Sequence, residues 1–241
     1  MKIKNLALCF GFLLCISVAL QGFARADIYF ENENVTTKVP HQKDGTAIQK
    51  NYLTAGASRI EMGDGKVVIV DYNSMKMYTL NPQAKTYTLV DMNEMGMPAN
   101  LPAAEKEKMG KVMGSMMTIN VVPTNETKTI EGYSCKKYNV TMAMIQGEYW
   151  VTQDIKGYKE LKSIAEKLAA ILEKNPMLRQ MSVAGMVEKL NGFPVVTTNK
   201  VMGGTVVSTL KKVEQKQLDP ELFKVPKGYA QKESQGAGGP Q

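Results

Sequence analysis

The sequence has few of the residues that most often carry catalysis and metal binding. Its 241 residues include a single histidine, His41, and three cysteines. The motifs GxSxG, HExxH, GxxxxGK, CxxC and DxDxDG are all absent. A Ser-His-acid set would have to use the lone histidine, which lies in a polar segment. The sequence therefore predicts a protein that is not an enzyme, with no catalytic residue, no metal ligand and no cofactor.

The first residues have the pattern of a secretory signal peptide. Two lysines precede the apolar run LALCFGFLLCISVAL, which is followed by a polar break and by the small residues Ala24 and Ala26. The run is too short to span a membrane comfortably, and small residues at this spacing are typical of a cleavage site. We expect residues 1–26 to be removed, which leaves Asp27 as the new N-terminus.

Lipid attachment to the N-terminal cysteines is not predicted. A bacterial lipobox requires a small residue directly before the cysteine, whereas Leu8 precedes Cys9 and Leu14 precedes Cys15. We therefore expect a soluble, exported protein of the periplasm that carries no lipid anchor.

Charge and cysteine content bear on two further features, nucleic-acid binding and disulfide bonds. Removal of the first 26 residues takes away three basic residues and no acidic one, which leaves 27 basic against 23 acidic residues. No cluster of lysines and arginines is interleaved with aromatic residues, so a nucleic-acid partner is not indicated. The single remaining cysteine, Cys135, cannot form an intramolecular disulfide. A chain of this length buries roughly 70% of its unfolded surface, so packing alone can hold the fold.

Strand patterns dominate the sequence. Residues 27–91 carry strand patterns in the segments DIYFENENV, SRIEM, KVVIVDY, MKMYTL and KTYTLVDM, which are separated by turn residues such as Gly63-Asp64-Gly65 and Asn81-Pro82. A hairpin is predicted within residues 129–152, with its turn at Gln146-Gly147. A second hairpin is predicted near the C-terminus, where Gly203-Gly204 would supply the positive φ angles of a two-residue turn.

Two helices with apolar stripes interrupt the strands. The spacing predicts helices over residues 102–117 and 158–174, and Asn175-Pro176 would begin a third that ends near residue 190. This order predicts an α+β domain, in which helices pack on one face of an antiparallel sheet. We expect a single domain over residues 27–229, followed by a disordered tail over residues 230–241.

Cys135 allows several interpretations, of which a strand residue fits best. It follows a predicted turn at Glu131-Gly132 and falls within a strand pattern, on the face opposite Tyr138. A nucleophilic cysteine needs a base, and His41 is far away in sequence. Flanking lysines could lower the pKa of the thiol, but no resolving partner is nearby. We interpret Cys135 as structural.

Methionine is abundant, with seventeen residues arranged in local groups. Three interpretations remain open at this stage. Flexible thioethers fill irregular gaps in cores, they form adaptable apolar cavities for greasy ligands, and closely spaced pairs bind Cu(I). No histidine or cysteine lies beside a methionine pair to support a copper site.

Several segments in a fixed order resemble a known family. They are SRIEMGDGKVVIVDYNSMKMYTLNPQAKTYTLVDM, TNETKTIEGYSCKKYNV, EYWVTQD, NGFPVV and LDPELFKVPKGY. In this order they resemble the bacterial exported family called domain of unknown function 4412, which is similar to the LolA/LolB-like lipoprotein-carrier superfamily. The resemblance implies an antiparallel half-barrel whose concave face is covered by helices and receives acyl chains.

On that geometry the helical stripes become a candidate ligand wall, with the only tryptophan at its mouth. The candidate ligand-binding residues are Met109, Met113, Met116, Met117, Trp150, Leu161, Ile164 and Leu168. The sequence thus predicts a non-catalytic protein that binds a hydrophobic ligand or the acyl chains of a lipoprotein. A methionine-rich copper protein and a ligand-free module that binds an envelope protein partner remain the alternatives.

Overall fold

The computed structural model describes residues 27–93, 102–116, 119–142, 145–173 and 188–233. The predicted signal peptide, with Cys9 and Cys15, lies outside these residues, as does the end of the chain after residue 233. None of the helices in the described residues is long and apolar enough to cross a membrane.

The described residues form one sheet of twelve strands, accompanied by few helices. The helices are α1 (Ala103–Met116), α2 (Tyr158–Leu172) and a short 3₁₀ helix (Pro220–Phe223). The strands are β1 (Asp27–Thr37), β2 (Gly45–Leu53), β3 (Ala57–Glu61), β4 (Val67–Asp71), β5 (Lys76–Asn81), β6 (Thr86–Asp91), β7 (Ile119–Ile130), β8 (Tyr133–Met142), β9 (Ile145–Thr152), β10 (Phe193–Val201), β11 (Gly204–Lys216) and β12 (Ala230–Gln231). The prediction of a largely antiparallel sheet with a small number of helices is confirmed.

Two meanders build this sheet and join at its centre. The strand order is β12-β6-β5-β4-β3-β2-β1-β11-β10-β9-β8-β7, and each neighbouring pair is antiparallel except β12 with β6. The join is the long antiparallel pairing of β1 with β11, which connects the two ends of the chain. The register shifts between Glu31 and Asn32 in this pair, and again in the β10–β9 and β7–β8 pairs. Such irregularities bend strands and increase their twist.

The C-terminal segment covers one face of the β3–β6 region. Val67 and Ile69 in β4 and Leu80 in β5 are buried there beneath aromatic and aliphatic side chains of residues 223–229. Arg59 holds the segment in place, because its Nη1 donates a hydrogen bond to the Leu222 carbonyl oxygen at 3.1 Å. Asp219 caps the 3₁₀ helix by accepting a hydrogen bond from the Glu221 amide.

Helix α2 packs on the other face, over the centre of the sheet. Its Leu161 joins a core cluster whose other buried members are Ile28, Phe30, Cys135, Ile155, Val195 and Leu210. Helix α2 and the C-terminal segment lie on opposite faces of the sheet, as the alternating side chains of β3 show. Ser58 lies on the α2 side, whereas its neighbour Arg59 reaches the C-terminal segment. A second cluster on β7, β8 and β9 is closed by Leu190, from a helical turn at residues 188–190.

Most of the predicted turns are confirmed, but two glycine positions were wrong. The turns at Gly63–Gly65, Asn81-Pro82 and Glu131-Gly132 join strands as expected. The last hairpin turns one residue earlier than predicted, at Met202-Gly203, since Val201 pairs with Gly204. Gly147 lies within β9 rather than in a turn. A Cβ atom there would lie 2.6 Å from Asn199 Oδ1, so this glycine permits a close approach between strands.

Three strands were missed in the sequence. Strand β2 is polar along most of its length, and β7 at the sheet edge contains Pro123, so neither shows a strong apolar alternation. Strand β12 falls at the start of the segment predicted to be disordered. Ala230 donates a backbone hydrogen bond to Lys85 there, so order extends past the predicted boundary at residue 229.

A row of charges crosses the face of β1 and β11 opposite α2. Glu214 accepts hydrogen bonds from Lys216 Nζ at 2.7 Å and forms an ion pair with Lys212 Nζ at 2.9 Å. Both ammonium groups lie over the Tyr29 ring, Lys216 at 4.3 Å from its centroid. These two lysines lower the pKa of Glu214 from 4.5 to about 2.

We expect this lowered pKa to contribute stability that is lost in acid. The folded-state pKa of Glu214 lies below its unfolded value, so the contribution is fully present above pH 4.5 and disappears as the pH falls towards 2. Urea unfolding of the wild type and Glu214→Gln at pH 7, 4 and 3 measures it. The wild type should be more stable at pH 7, and the difference should narrow towards pH 3. A difference that is independent of pH would contradict the assignment.

Candidate functional site

Helix α2 is amphipathic and presents its apolar stripe to the sheet. The helix begins after Gly157, whose φ of 80° turns the chain sharply, and it ends at Glu173, whose amide donates to the Ala169 carbonyl oxygen. Leu161, Ile164 and Ala169 are buried at helical spacing, whereas lysines and glutamates occupy the outer face. The stripe thus fixes which side of α2 meets the sheet.

A cavity of about 180 Å³ remains between α2 and the strands. Residues from three parts of the chain surround it: the end of β2, the turn after β4, and the start of β10 across from α2. Its walls are mostly aliphatic and aromatic. The lining residues are Leu53, Tyr72, Tyr158, Leu161, Lys162, Ile164, Ala165, Leu168, Gly192 and Phe193.

Two of the polar side chains in the wall of this cavity, Tyr72 and Lys162, have partners within the protein. Tyr72 and Ser58 are both buried and share a side-chain hydrogen bond. Burial raises the pKa of Tyr72, and burial together with Glu166 raises the pKa of Tyr158, so both tyrosines are neutral at physiological pH. Lys162 is exposed and forms an ion pair with Glu166. The interior of the cavity therefore presents an apolar surface.

Three of the eight sequence-predicted site residues line this cavity. Leu161, Ile164 and Leu168 are all on its α2 wall. Trp150 does not line it, but packs against the core cluster that contains Cys135, with Lys137 Nζ 5.9 Å from its ring centroid.

The residues predicted on α1 are not brought to the cavity by any described contact. Met109 is half-buried, and none of the side chains that the structure describes on α1 lines the cavity. The side chains of Met113 and Met116, and the whole of Met117, lie outside the described part of the chain.

Sequence reasoning missed the strand side of the cavity. Leu53, Tyr72 and Phe193 come from places far apart in the sequence, and only the sheet order brings them together. Tyr72 carried a weak signal, as a buried aromatic residue that directly follows the apolar run of β4.

Comparison with known proteins places the chain in a family. Residues 34–229 match the family described as Domain of unknown function (DUF4412). The chain belongs to this family. The match includes all ten residues of the cavity wall and confirms the resemblance seen in the sequence. No curated protein matches the chain.

Several solved structures are similar to this DUF4412 protein at low sequence identity. PNGF-II shares 14% identity over 87% of this chain and 31% of its own length, with a TM-score of 0.42. The chain thus spans about a third of PNGF-II. The LolA superfamily protein NE2245 from Nitrosomonas europaea shares 8% identity over 84% of this chain and 91% of its own, with a TM-score of 0.34. LprF from Mycobacterium bovis shares 10% identity over 83% and 91%, with a TM-score of 0.34.

Cys135 of this DUF4412 protein is a core residue. Its side chain has no exposed surface and packs in the same cluster as Leu161 and Ile28. Burial raises the pKa of its thiol, and the carboxylate of Asp154 adds to the effect. The thiol donates weakly to the Tyr133 carbonyl oxygen at 3.5 Å. A thiol in this state is protonated at neutral pH and is a poor nucleophile.

The methionine groups are distributed across the fold. Met75 and Met92 are buried, joined by a hydrogen bond from the Met92 amide to the Met75 carbonyl oxygen, whereas Met202 is exposed at the last hairpin turn. No methionine is among the residues that line the cavity under α2. Within the described residues, no group of three His, Cys, Asp or Glu side chains is placed to hold a metal ion.

Proposed function

We propose that this protein binds the acyl chain of a lipid or lipoprotein in the cavity beneath α2, and that it does so without catalysis. In this proposal the sheet is a half-barrel, and α2 covers its concave face. The protein acts after export, in the periplasm, as a soluble carrier or receptor of the acyl chain. The single observation that carries the proposal is the unfilled apolar cavity.

Packing physics supports a ligand at this place. Protein interiors are packed as densely as organic crystals and contain few voids larger than a water molecule. An apolar cavity of about 150 Å³ in another protein stays dry and binds benzene. The space of about 180 Å³ beneath α2 has similarly aliphatic and aromatic walls, but it is partly open to solvent, so an acyl chain can enter it from outside. Each methylene group that leaves water for such a site contributes about 0.8 kcal/mol.

The size of the cavity bears on the mechanism. Sites for drug-sized ligands usually have volumes of about 300–1,000 Å³. The volume beneath α2 is smaller, so it accommodates a short chain or one end of a long chain. A longer chain would require α2 to move away from the sheet. The net free energy of binding is then the gain from burying the apolar surface of the acyl chain, minus the cost of displacing Leu161 and Ile164 from their packing.

The chemistry of the lining favours binding over reaction. The titratable side chains that line the cavity are Tyr72, Tyr158 and Lys162, and the first two are neutral. The lining residues include no histidine, cysteine, serine or carboxylate that could act as a nucleophile or a base.

Native mass spectrometry tests this proposal. The protein is purified without detergent from its own host and measured intact, with metals scored in the same spectra. We expect additional mass that extracts into organic solvent and contains an acyl chain. Additional mass that matches copper would support the methionine-rich copper interpretation instead. If the purified protein is empty and also fails to bind a short acyl compound in solution, the proposal is wrong.

A further inference from the structure

A single charged residue lines the cavity beneath α2. Lys162 is the only charged side chain among the ten residues of the cavity wall, and its side chain is 49% exposed. Lysine side chains commonly lie with the aliphatic stem along apolar surface and the ammonium group in water. Lys162 therefore places a positive charge at the opening of a cavity whose wall is otherwise uncharged.

Tyr158 adds a second hydrogen-bond donor to the cavity wall. It lies four residues before Lys162 in α2, which places the two side chains one turn apart on the same side of the helix. Burial and the nearby Glu166 raise the pKa of Tyr158, so its hydroxyl group keeps its proton at neutral pH and can donate. The wall thus combines an ammonium group with a neutral donor.

A carboxylate of the protein already lies beside these donors. Oε1 of Glu166 is 3.9 Å from Lys162 Nζ, and the same carboxylate raises the pKa of Tyr158. This distance is longer than that of a hydrogen bond, and the Glu166 side chain is 59% exposed. Exposed ion pairs of this kind contribute little to stability. An anionic group from outside the chain can therefore replace Glu166 beside Lys162 at small cost.

The opening of the cavity is also where a charged head group has to remain. Burying an ionised group without a partner carries a large cost. Because the cavity is partly open to solvent, a ligand can insert its apolar chain beneath α2 and keep its head group at the opening. There the head group retains contact with water and meets the ammonium group of Lys162.

We propose that Lys162, assisted by Tyr158, binds an anionic head group, a carboxylate or a phosphate, on the ligand whose apolar chain occupies the cavity beneath α2. This inference rests on the proposed function, because binding of the chain is what brings the head group to the opening. Glu166 is the group that the ligand displaces. The inference narrows the ligand class to lipids with a free carboxylate or phosphate and disfavours acyl amides and esters.

Isothermal titration with three eight-carbon probes tests the inference. Octanoate and octyl phosphate carry anionic head groups, whereas octanamide is neutral. We expect the wild type to bind at least one of the two anions about fivefold more tightly than octanamide, the upper range for a partly exposed ion pair. The tighter anion identifies the head group as a carboxylate or a phosphate. In Lys162→Met, which keeps the aliphatic stem, the ratio of the two affinities should fall to about one.

Two further substitutions on α2 provide controls. Lys167 is exposed and does not line the cavity, so Lys167→Met removes the same charge and should keep the fivefold preference. Glu166→Gln should act in the opposite direction to Lys162→Met and raise the preference about threefold, because its side chain no longer competes for the ammonium group. A thermal melt verifies that each variant is folded.

Three results would overturn the inference and leave the acyl-binding function standing. They are equal affinity of the wild type for the anions and octanamide, a preference for the anion that Lys162→Met retains, and an equal loss of preference in Lys162→Met and Lys167→Met. Failure of the wild type to bind any of the three probes would count against the proposed function itself.

Discussion

Replacement of Gly204 with alanine is expected to destabilise the protein by about 3 kcal/mol, the upper range for overpacking a well-packed site. Gly204 begins β11 and is buried against the loop between β1 and β2. A Cβ atom at this position would lie 2.5 Å from the carbonyl carbon and oxygen of Lys38 and would also clash with the amide nitrogen of Val39. The clash is with backbone, so no side-chain rotation can relieve it. Urea unfolding measures the loss.

The neighbouring glycine provides the control for this prediction. Gly203 has a φ of 86°, and a Cβ atom on it would meet nothing within 4 Å. Gly203→Ala should therefore cost only about 1 kcal/mol, from the left-handed backbone conformation alone. Equal losses for the two variants would mean that the loop at Lys38 moves aside, and that the packing against Gly204 contributes little.

These two glycines also show how far the sequence could be interpreted. The pair Gly203-Gly204 correctly predicted a hairpin, because glycine suits the positive φ angles of a two-residue turn. Its register could not be predicted, since Met202 accepts a φ of 48° and Gly204 is required by a loop more than 160 residues earlier in the chain. The local pattern thus determined the type of element, and a distant backbone contact determined its position.

The candidate site, too, could be predicted only in part from the sequence. The α2 wall could be predicted, because Leu161, Ile164 and Leu168 recur at helical spacing within one segment. The strand wall could not, because Leu53 and Phe193 meet only through the pairing of β1 with β11. That pairing joins the first and eleventh strands, which no single turn connects, so no local sequence pattern predicts it.

Helix α1 shows the limit of stripe patterns. Its methionines follow the same spacing as the apolar residues of α2, and the helix predicted over residues 102–117 is observed at Ala103–Met116. Yet Val112, within the stripe, is 50% exposed, and none of the described side chains of α1 belongs to a core cluster. Spacing alone therefore does not establish what a helix face contacts.

Substitution of Ala165 by tryptophan is expected to reduce octanamide affinity roughly a hundredfold. Ala165 is half-buried in α2 and lines the cavity, so a bulky indole at this position would occupy the space that the acyl chain needs. Exclusion of three or four methylene groups, each worth about 0.8 kcal/mol, accounts for a loss of this size. Isothermal titration with octanamide measures the change, and a thermal melt of the same sample verifies that the variant is folded.

Ala170→Trp makes the same substitution five residues further along α2. Ala170 is exposed and does not line this cavity, so octanamide affinity should match that of the wild type. The comparison separates blockage of the cavity from a general effect of an added tryptophan on the helix. If Ala165→Trp binds octanamide as tightly as Ala170→Trp does, the acyl chain of octanamide binds elsewhere on the protein. The apolar volume beneath α2 would then be a packing defect of the core rather than a ligand site.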